Sequence, residues 1–183
     1  MKKTLTLVLA LVLIASLAVG GTLAYFTSKT ETAVNTFKVS GENVEITVTE
    51  PGWDPDTAEL IPGAEITKDP TITVTGEMPC YLVVEVLESD PNDYISWTAT
   101  GDWTLIADPA TYGFGTGTYY VYTGAANQND VIKFLEGDKV TVNANADEAN
   151  AAVTLQFVVY AVQADLGTAA EAFTLANGAG DFA

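Results

Sequence analysis

The chain has 183 residues, with 24 acidic side chains against seven lysines and neither arginine nor histidine, so its formal charge is −17. Nucleic acids are excluded as partners because phosphate binding needs clustered basic side chains, and the lysines here are scattered. With no histidine and a single cysteine, the usual zinc sites and the Ser- or Cys-based catalytic triads are excluded too.

The first 24 residues are predicted to form a helical signal peptide. Two lysines precede an apolar run over residues 5–19, which is too short to span a bilayer comfortably. The small residues Thr22 and Ala24 fit a signal peptidase pocket, so we expect cleavage just before Tyr25. An uncleaved anchor is the alternative, although no basic flank follows the run. The mature protein is therefore expected to be secreted, with membrane contact only through the uncleaved signal peptide.

An extended segment is predicted over residues 25–35, before a domain that begins at residue 36. Apolar side chains at both ends of this segment stand among threonine and serine, a composition that suits a β-strand. A frayed terminus is the alternative. The residues expected to contribute to strand pairing are Tyr25, Phe26, Thr27, Ser28, Ala33 and Val34.

Strands are predicted through most of the remaining chain. Val44, Ile46 and Val48 alternate with polar residues before a Pro-Gly turn, the pattern of a half-buried strand. Further candidate strands cover residues 71–75, 80–88, 103–106, 118–122, 131–135, 139–143 and 153–164. Clusters of Gly, Pro, Asn and Asp separate them.

This spacing predicts one all-β domain over residues 36–183. Strands eight to twelve residues apart with irregular connections are typical of a two-sheet jelly-roll or Greek-key sandwich. One short helix is expected around residues 168–173, with Thr168 as its cap. Cys80 lies in a strand-like run, where a buried thiol is expected and an intermolecular disulfide is the alternative.

The acidic clusters and the aromatic residues are the remaining candidate sites, and both are weak evidence for a function. Acidic clusters at residues 54–59 and 90–93 offer oxygen ligands that calcium accepts, and paired carboxylates can hydrolyse glycosides. Neither cluster has the spacing of an EF-hand, so solvated loops are expected. Aromatic residues such as Trp53, Trp97 and Trp103 suit a sugar-stacking platform, but core packing is the expected role. We therefore predict no catalytic residue, no metal and no cofactor.

Three stretches resemble one family. Residues 21–28 (GTLAYFTS), followed by Asn35, Thr36 and Phe37, resemble the start of TasA/camelysin-type proteins, which Gram-positive bacteria export through a dedicated signal peptidase, SipW. Residues 60–70 (LIPGAEITKDP) resemble the family's turn before a strand. The family's C-terminal end resembles residues 160–164 and 169–173.

The resemblance implies a jelly-roll subunit of extracellular biofilm matrix fibres, which assembles head-to-tail by N-terminal donor-strand complementation. Its partners would be further copies of itself and a SipW-type signal peptidase, and accessory matrix proteins are a further class of expected partner. Camelysin is also described as a metallopeptidase, so a secreted peptidase is an alternative, although this chain has no histidine for an ordinary zinc site. A calcium-dependent or glycan-binding surface module is the third hypothesis.

Overall fold

Antiparallel strands make up most of the fold. The computed structural model describes residues 44–54, 58–146, 153–165 and 167–179. The strands are β1 (Ile46–Thr49), β2 (Glu65–Thr67), β3 (Thr71–Val74), β4 (Cys80–Ser89), β5 (Ile95–Ser96), β6 (Trp103–Leu105), β7 (Thr118–Tyr122), β8 (Val131–Lys133), β9 (Lys139–Val142) and β10 (Thr154–Gln163). The helix α1 is Ala169–Ala179, and short 3₁₀ helices cover Pro109–Tyr112 and Glu136–Asp138. The prediction of an all-β chain with one short helix is confirmed at this level.

The strands form three antiparallel sheets. Their strand orders are β1-β3-β8, β2-β9-β5 and β10-β4-β7-β6. The sequence pattern missed β2 and β5, because strands of three and two residues are too short to display alternation. The other strands lie where the pattern placed them, with ends shifted by a few residues.

Backbone hydrogen bonds extend the two three-stranded sheets towards each other. The Lys68 N–H donates to the Asp138 carbonyl at 2.9 Å, and the Phe134 N–H donates to the Pro70 carbonyl at 3.3 Å. The pairing of β3 with β8 therefore continues into that of β2 with β9. The 3₁₀ turn Glu136–Asp138 interrupts it, with Gly137 at a φ of 66° that favours glycine.

The larger core contains residues from all three sheets. Its fully buried side chains include Ile46, Ile72, Leu82, Phe134 and Val159. The Phe134 ring lies 5.2–6.0 Å from four other aromatic rings, an arrangement that adds specific ring contacts to simple apolar burial. These neighbours are Trp97, Trp103, Tyr120 and Phe157. Two of the three tryptophans thus pack in or against the core, as expected.

A second core lies between α1 and the opposite face of the four-stranded sheet. Phe173 and Ala172 of the helix pack against Val83 and Val162. The helix begins with a capping box, because the Glu171 N–H donates to the Thr168 hydroxyl and the Glu171 carboxylate accepts from the Thr168 N–H. The predicted cap is confirmed.

Helix α1 is longer than predicted, because contacts with the Pro109–Tyr112 turn hold its second half. The Asn177 amide donates to the Tyr112 carbonyl at 3.1 Å, and the Thr174 hydroxyl donates to the Thr111 carbonyl at the same distance.

Cys80 is fully buried at the start of β4, as the sequence predicted for a structural thiol. Burial, together with the nearby Asp130 charge, raises the pKa of this thiol to about 11. In the described ranges, no helix is both long and apolar enough to cross a bilayer. The predicted signal peptide, its cleavage site and the N-terminal segment lie outside those ranges.

Candidate functional site: a cavity beside the open edge of β10

One edge of β10 has no partner strand within the described part of the chain. The strand pairs over ten residues with β4, from Thr154 opposite Ser89 to Gln163 opposite Cys80. No described strand pairs with its other side, so β10 is the edge strand of the four-stranded sheet in this part of the chain.

The pairing register identifies the backbone groups on that open edge. The Ala164 N–H donates to the Pro79 carbonyl at 2.9 Å, which makes residue 164 a hydrogen-bonding position of the ladder. Hydrogen-bonding and non-hydrogen-bonding positions alternate in an antiparallel pair. The N–H and C=O groups that point away from β4 therefore belong to Leu155, Phe157, Val159, Ala161 and Gln163.

An apolar cavity of about 90 Å³ lies beside the first half of this edge. Its walls come from β2, β5, β9 and the start of β10, together with the chain between β1 and β2. The principal side chains are Trp53, Leu60, Ile66, Ile95, Val140 and Leu155. Leu155 belongs both to the cavity wall and to the open edge, so the two features form one site.

A buried lysine borders the cavity. The Lys68 ammonium pairs with the Glu50 carboxylate at 2.7 Å, and it lies 4.5 Å from the centroid of the Trp53 ring. Burying an ammonium is costly unless a charge partner and hydrogen bonds compensate it. Here a carboxylate and an aromatic face provide that compensation. The Lys68 contacts also hold Glu50 and Trp53 against the sheet.

The neighbouring Asp69 fixes the same turn from the other side. Its two carboxylate oxygens accept from the Gly52 N–H at 3.0 and 2.9 Å. A Cβ at Gly52 would lie 3.0 Å from the Thr67 methyl group and 3.1 Å from the Asp69 carboxylate, so the close approach favours glycine. The wall that Trp53 provides is thus held in place by two buried charged residues.

A second polar cluster lies on the helix-bearing face of the four-stranded sheet. The Glu85 carboxylate accepts from the Tyr119 hydroxyl at 2.9 Å and from the Tyr160 hydroxyl at 2.7 Å. Desolvation, the hydrogen bond to Glu85 and its charge raise the pKa of Tyr119 to about 12 and that of Tyr160 well above its usual range. The Phe114 ring stacks on Tyr119 at 4.6 Å, so aromatic contacts shield this cluster.

We expect alkaline pH to destabilise the fold through these two tyrosines. Unfolded tyrosine ionises near pH 10, whereas folded Tyr119 keeps its proton to about pH 12. The raised pKa therefore contributes to the free energy of unfolding in full below pH 10, and this contribution is lost as the pH rises from 10 to about 12. Glu85→Gln should lower both folded pKa values. Titration of the phenolate absorbance measures these pKa values. Glu77→Gln, at an exposed position, is the control. If the tyrosines of both variants titrate at the same pH, the prediction is contradicted.

The predicted site residues lie outside the residues that the structure describes. This holds for the cleavage residues Thr22, Ala24 and Tyr25 and for the remaining pairing residues, which are Phe26, Thr27, Ser28, Ala33 and Val34. The described ranges, which include residues 90–93 and part of the 54–59 cluster, contain no group of three or more potential metal ligands. Of the three tryptophans, Trp53 lines the cavity.

No protein-family model, curated protein or solved structure gives a significant match to this chain. The family resemblance therefore supports only a proposal. Sequence reasoning missed the open edge, the cavity and the buried role of Lys68. Residues 153–164 contain neither a charge nor a proline, which is typical of a covered central strand, so no local signal marked β10 as an edge strand.

Proposed function

We propose that this chain is a secreted, non-enzymatic subunit of extracellular matrix fibres, whose N-terminal segment adds as a strand to the next subunit. The observation that carries this proposal is the open edge of β10 beside an apolar cavity. Strand addition at a sheet edge is an established mode of protein recognition. Backbone hydrogen bonds would provide affinity, and the cavity would provide specificity.

The composition of β10 favours a partner at that edge. Folded proteins usually protect exposed edges with lysine, proline, bulges or short strands. Strand β10 is ten residues long and contains no charged residue and no proline. Such an edge is an aggregation hazard when it is left uncovered, so a dedicated strand is a physically reasonable cover.

The jelly-roll prediction belongs to this proposal. The hydrogen bonds at Lys68 and Phe134 support a single bent sheet built from β1, β2, β3, β5, β8 and β9. The larger core combines residues of these strands with residues of β4 and β10, as two facing sheets would. A two-sheet sandwich of this kind has open edges to which a strand can add.

Assembly would follow export. After removal of the signal peptide the segment is free to reach another subunit, so cleavage by a SipW-type peptidase would couple secretion to polymerisation. The mature chain would carry five lysines against 24 acids, and this charge would keep subunits apart without specific contacts. A head-to-tail contact that does not close on itself generates a filament.

Electron microscopy of the purified mature protein tests the proposal. Chains that begin at Tyr25 should form filaments, whereas chains that still carry residues 1–24 should remain unpolymerised. Protein that stays monomeric by light scattering at high concentration and moderate salt, with its N-terminus verified by sequencing, would contradict a fibre function.

A further inference from the structure

Among the described residues, the open edge of β10 offers room for one large side chain at the end near Leu155. Next to Leu155 lies the cavity, whereas Val159 and Ala161 are each only 1% exposed and belong to a filled core. An added strand would therefore meet space at the start of β10 and closed packing farther along. Its inward-facing side chains need to be large at one end and small in the middle.

The N-terminal segment has this pattern on one face only. In an extended strand, alternate residues of the segment 25–34 share a face. One face contains Lys29 and Glu31, which are costly to bury. The other face is uncharged and consists of Phe26, Ser28, Thr30, Thr32 and Val34.

The N-terminal segment and the open edge of β10 also have the same length. Phe26 and Val34 are eight residues apart, as are Leu155 and Gln163 at the two ends of the open edge. If Phe26 lies beside Leu155 in a strand parallel to β10, three small polar side chains meet the closed part of the core. These are Ser28, Thr30 and Thr32, opposite Phe157, Val159 and Ala161 respectively.

We propose that Phe26 of one subunit occupies the cavity of the next, with residues 26–34 paired parallel to β10. The inference rests on the proposed fibre function and adds the anchor residue, the strand direction and the register. The Phe26 ring would contact Trp53, Leu60 and Ile66. Aromatic and aliphatic side chains of this kind are favourable neighbours for a phenyl group. An enclosed cavity of about 150 Å³ holds benzene. This cavity is smaller, at about 90 Å³, so only part of the ring would lie inside it.

Photocrosslinking tests the anchor directly. A diazirine analogue of leucine replaces Phe26 in one preparation of mature chain, and Tyr25 or Val34 in two control preparations. Each is mixed with isotope-labelled native chain, so mass spectrometry separates crosslinks between subunits from crosslinks within one. We expect position 26 to label Ile66 or Leu155 of the other chain and position 25 to label neither.

The outcomes separate the anchor from the fibre function. Filaments in which position 26 labels residues away from the cavity would overturn the anchor and leave the fibre function intact. Labelling of the cavity from position 34 would overturn the parallel direction. Labelling of the cavity within one chain only, without filaments, would place Phe26 in the cavity of its own chain and overturn the contact between subunits.

Substitutions provide an independent measurement. Phe26→Ala should raise the critical concentration for assembly about tenfold or more, since it removes a buried aromatic ring. Lys29→Ala, on the other face of the segment, should change it by less than about twofold. Equal effects of the two substitutions would contradict the proposal.

The acceptor side has its own matched pair. Ile66→Trp should fill the cavity, so that a subunit can no longer accept the N-terminal segment of another subunit. Its own N-terminal segment can still add to the end of a filament, where the variant should stop further growth. Ile61 is exposed and lies outside the cavity, so the Ile61→Trp variant should assemble normally. Circular dichroism confirms that both variants are folded. Normal elongation of folded Ile66→Trp would rule out the cavity as the acceptor.

Discussion

Deletion of residues 25–34 from the mature chain should abolish filaments and leave a folded monomer. Every strand of the described sheets starts at or after Ile46, and the two cores consist of residues from Val44 onward. The domain thus keeps its described core when the segment is removed, whereas a neighbour's β10 edge loses its partner. Light scattering and electron microscopy measure assembly, and thermal unfolding measures the fold.

The matched control scrambles residues 25–34 and keeps their length and composition. The scrambled chain should also fail to assemble, because it lacks one uncharged face with a large residue at one end. A truncated chain that still forms filaments like the full mature chain would refute donor-strand assembly, even if the fibre function were correct. Added peptide of the native segment should bind the truncated chain and restore its protected edge.

Lys68→Ala should lower the free energy of unfolding by about 3 kcal/mol, because it leaves the Glu50 carboxylate without its charge partner in a poorly hydrated place. The accessible fractions of the Lys68 and Glu50 side chains are 6% and 17%, so solvent screens this pair little. Lys139 pairs with Glu65 at exposed positions, where the accessible fractions are 43% and 57%. Lys139→Ala should therefore cost at most about 1 kcal/mol.

Urea unfolding of both variants provides the comparison. The double substitution Lys68→Met with Glu50→Gln should recover much of the lost stability, since no uncompensated charge then remains. Equal losses for Lys68→Ala and Lys139→Ala would show that burial does not distinguish the two pairs. Because Lys68 holds Trp53 at the cavity, its loss should also weaken assembly.

The sequence predicted those parts of the fold that local pattern determines. Strand β1 has a clean alternation, and α1 has a capping box at Thr168, so both were located from the sequence. Strand β5 has two residues and exists because β9 pairs with it. Local alternation contains no information on that distant partner.

The candidate site was harder to predict for the same reason. Lys68 has the appearance of an ordinary surface lysine, and its carboxylate partner Glu50 is 18 residues away. The cavity combines side chains from four strands and from the chain between β1 and β2, so no single stretch of sequence contains it. The N-terminal segment stays a prediction from the sequence, and the edge that we propose it covers was not predicted.

The ten paired positions between β10 and β4 have a mechanical consequence for a fibre. A donor strand that lies along β10 would transmit tension parallel to both strands, so the ladder between them would be loaded in shear. In shear, many hydrogen bonds must break together, whereas in peeling they break one after another. Strand β4 also pairs with β7, so the load would spread from the edge into the middle of the sheet. We expect such a filament to resist stretching far better than bending at the joints between its subunits.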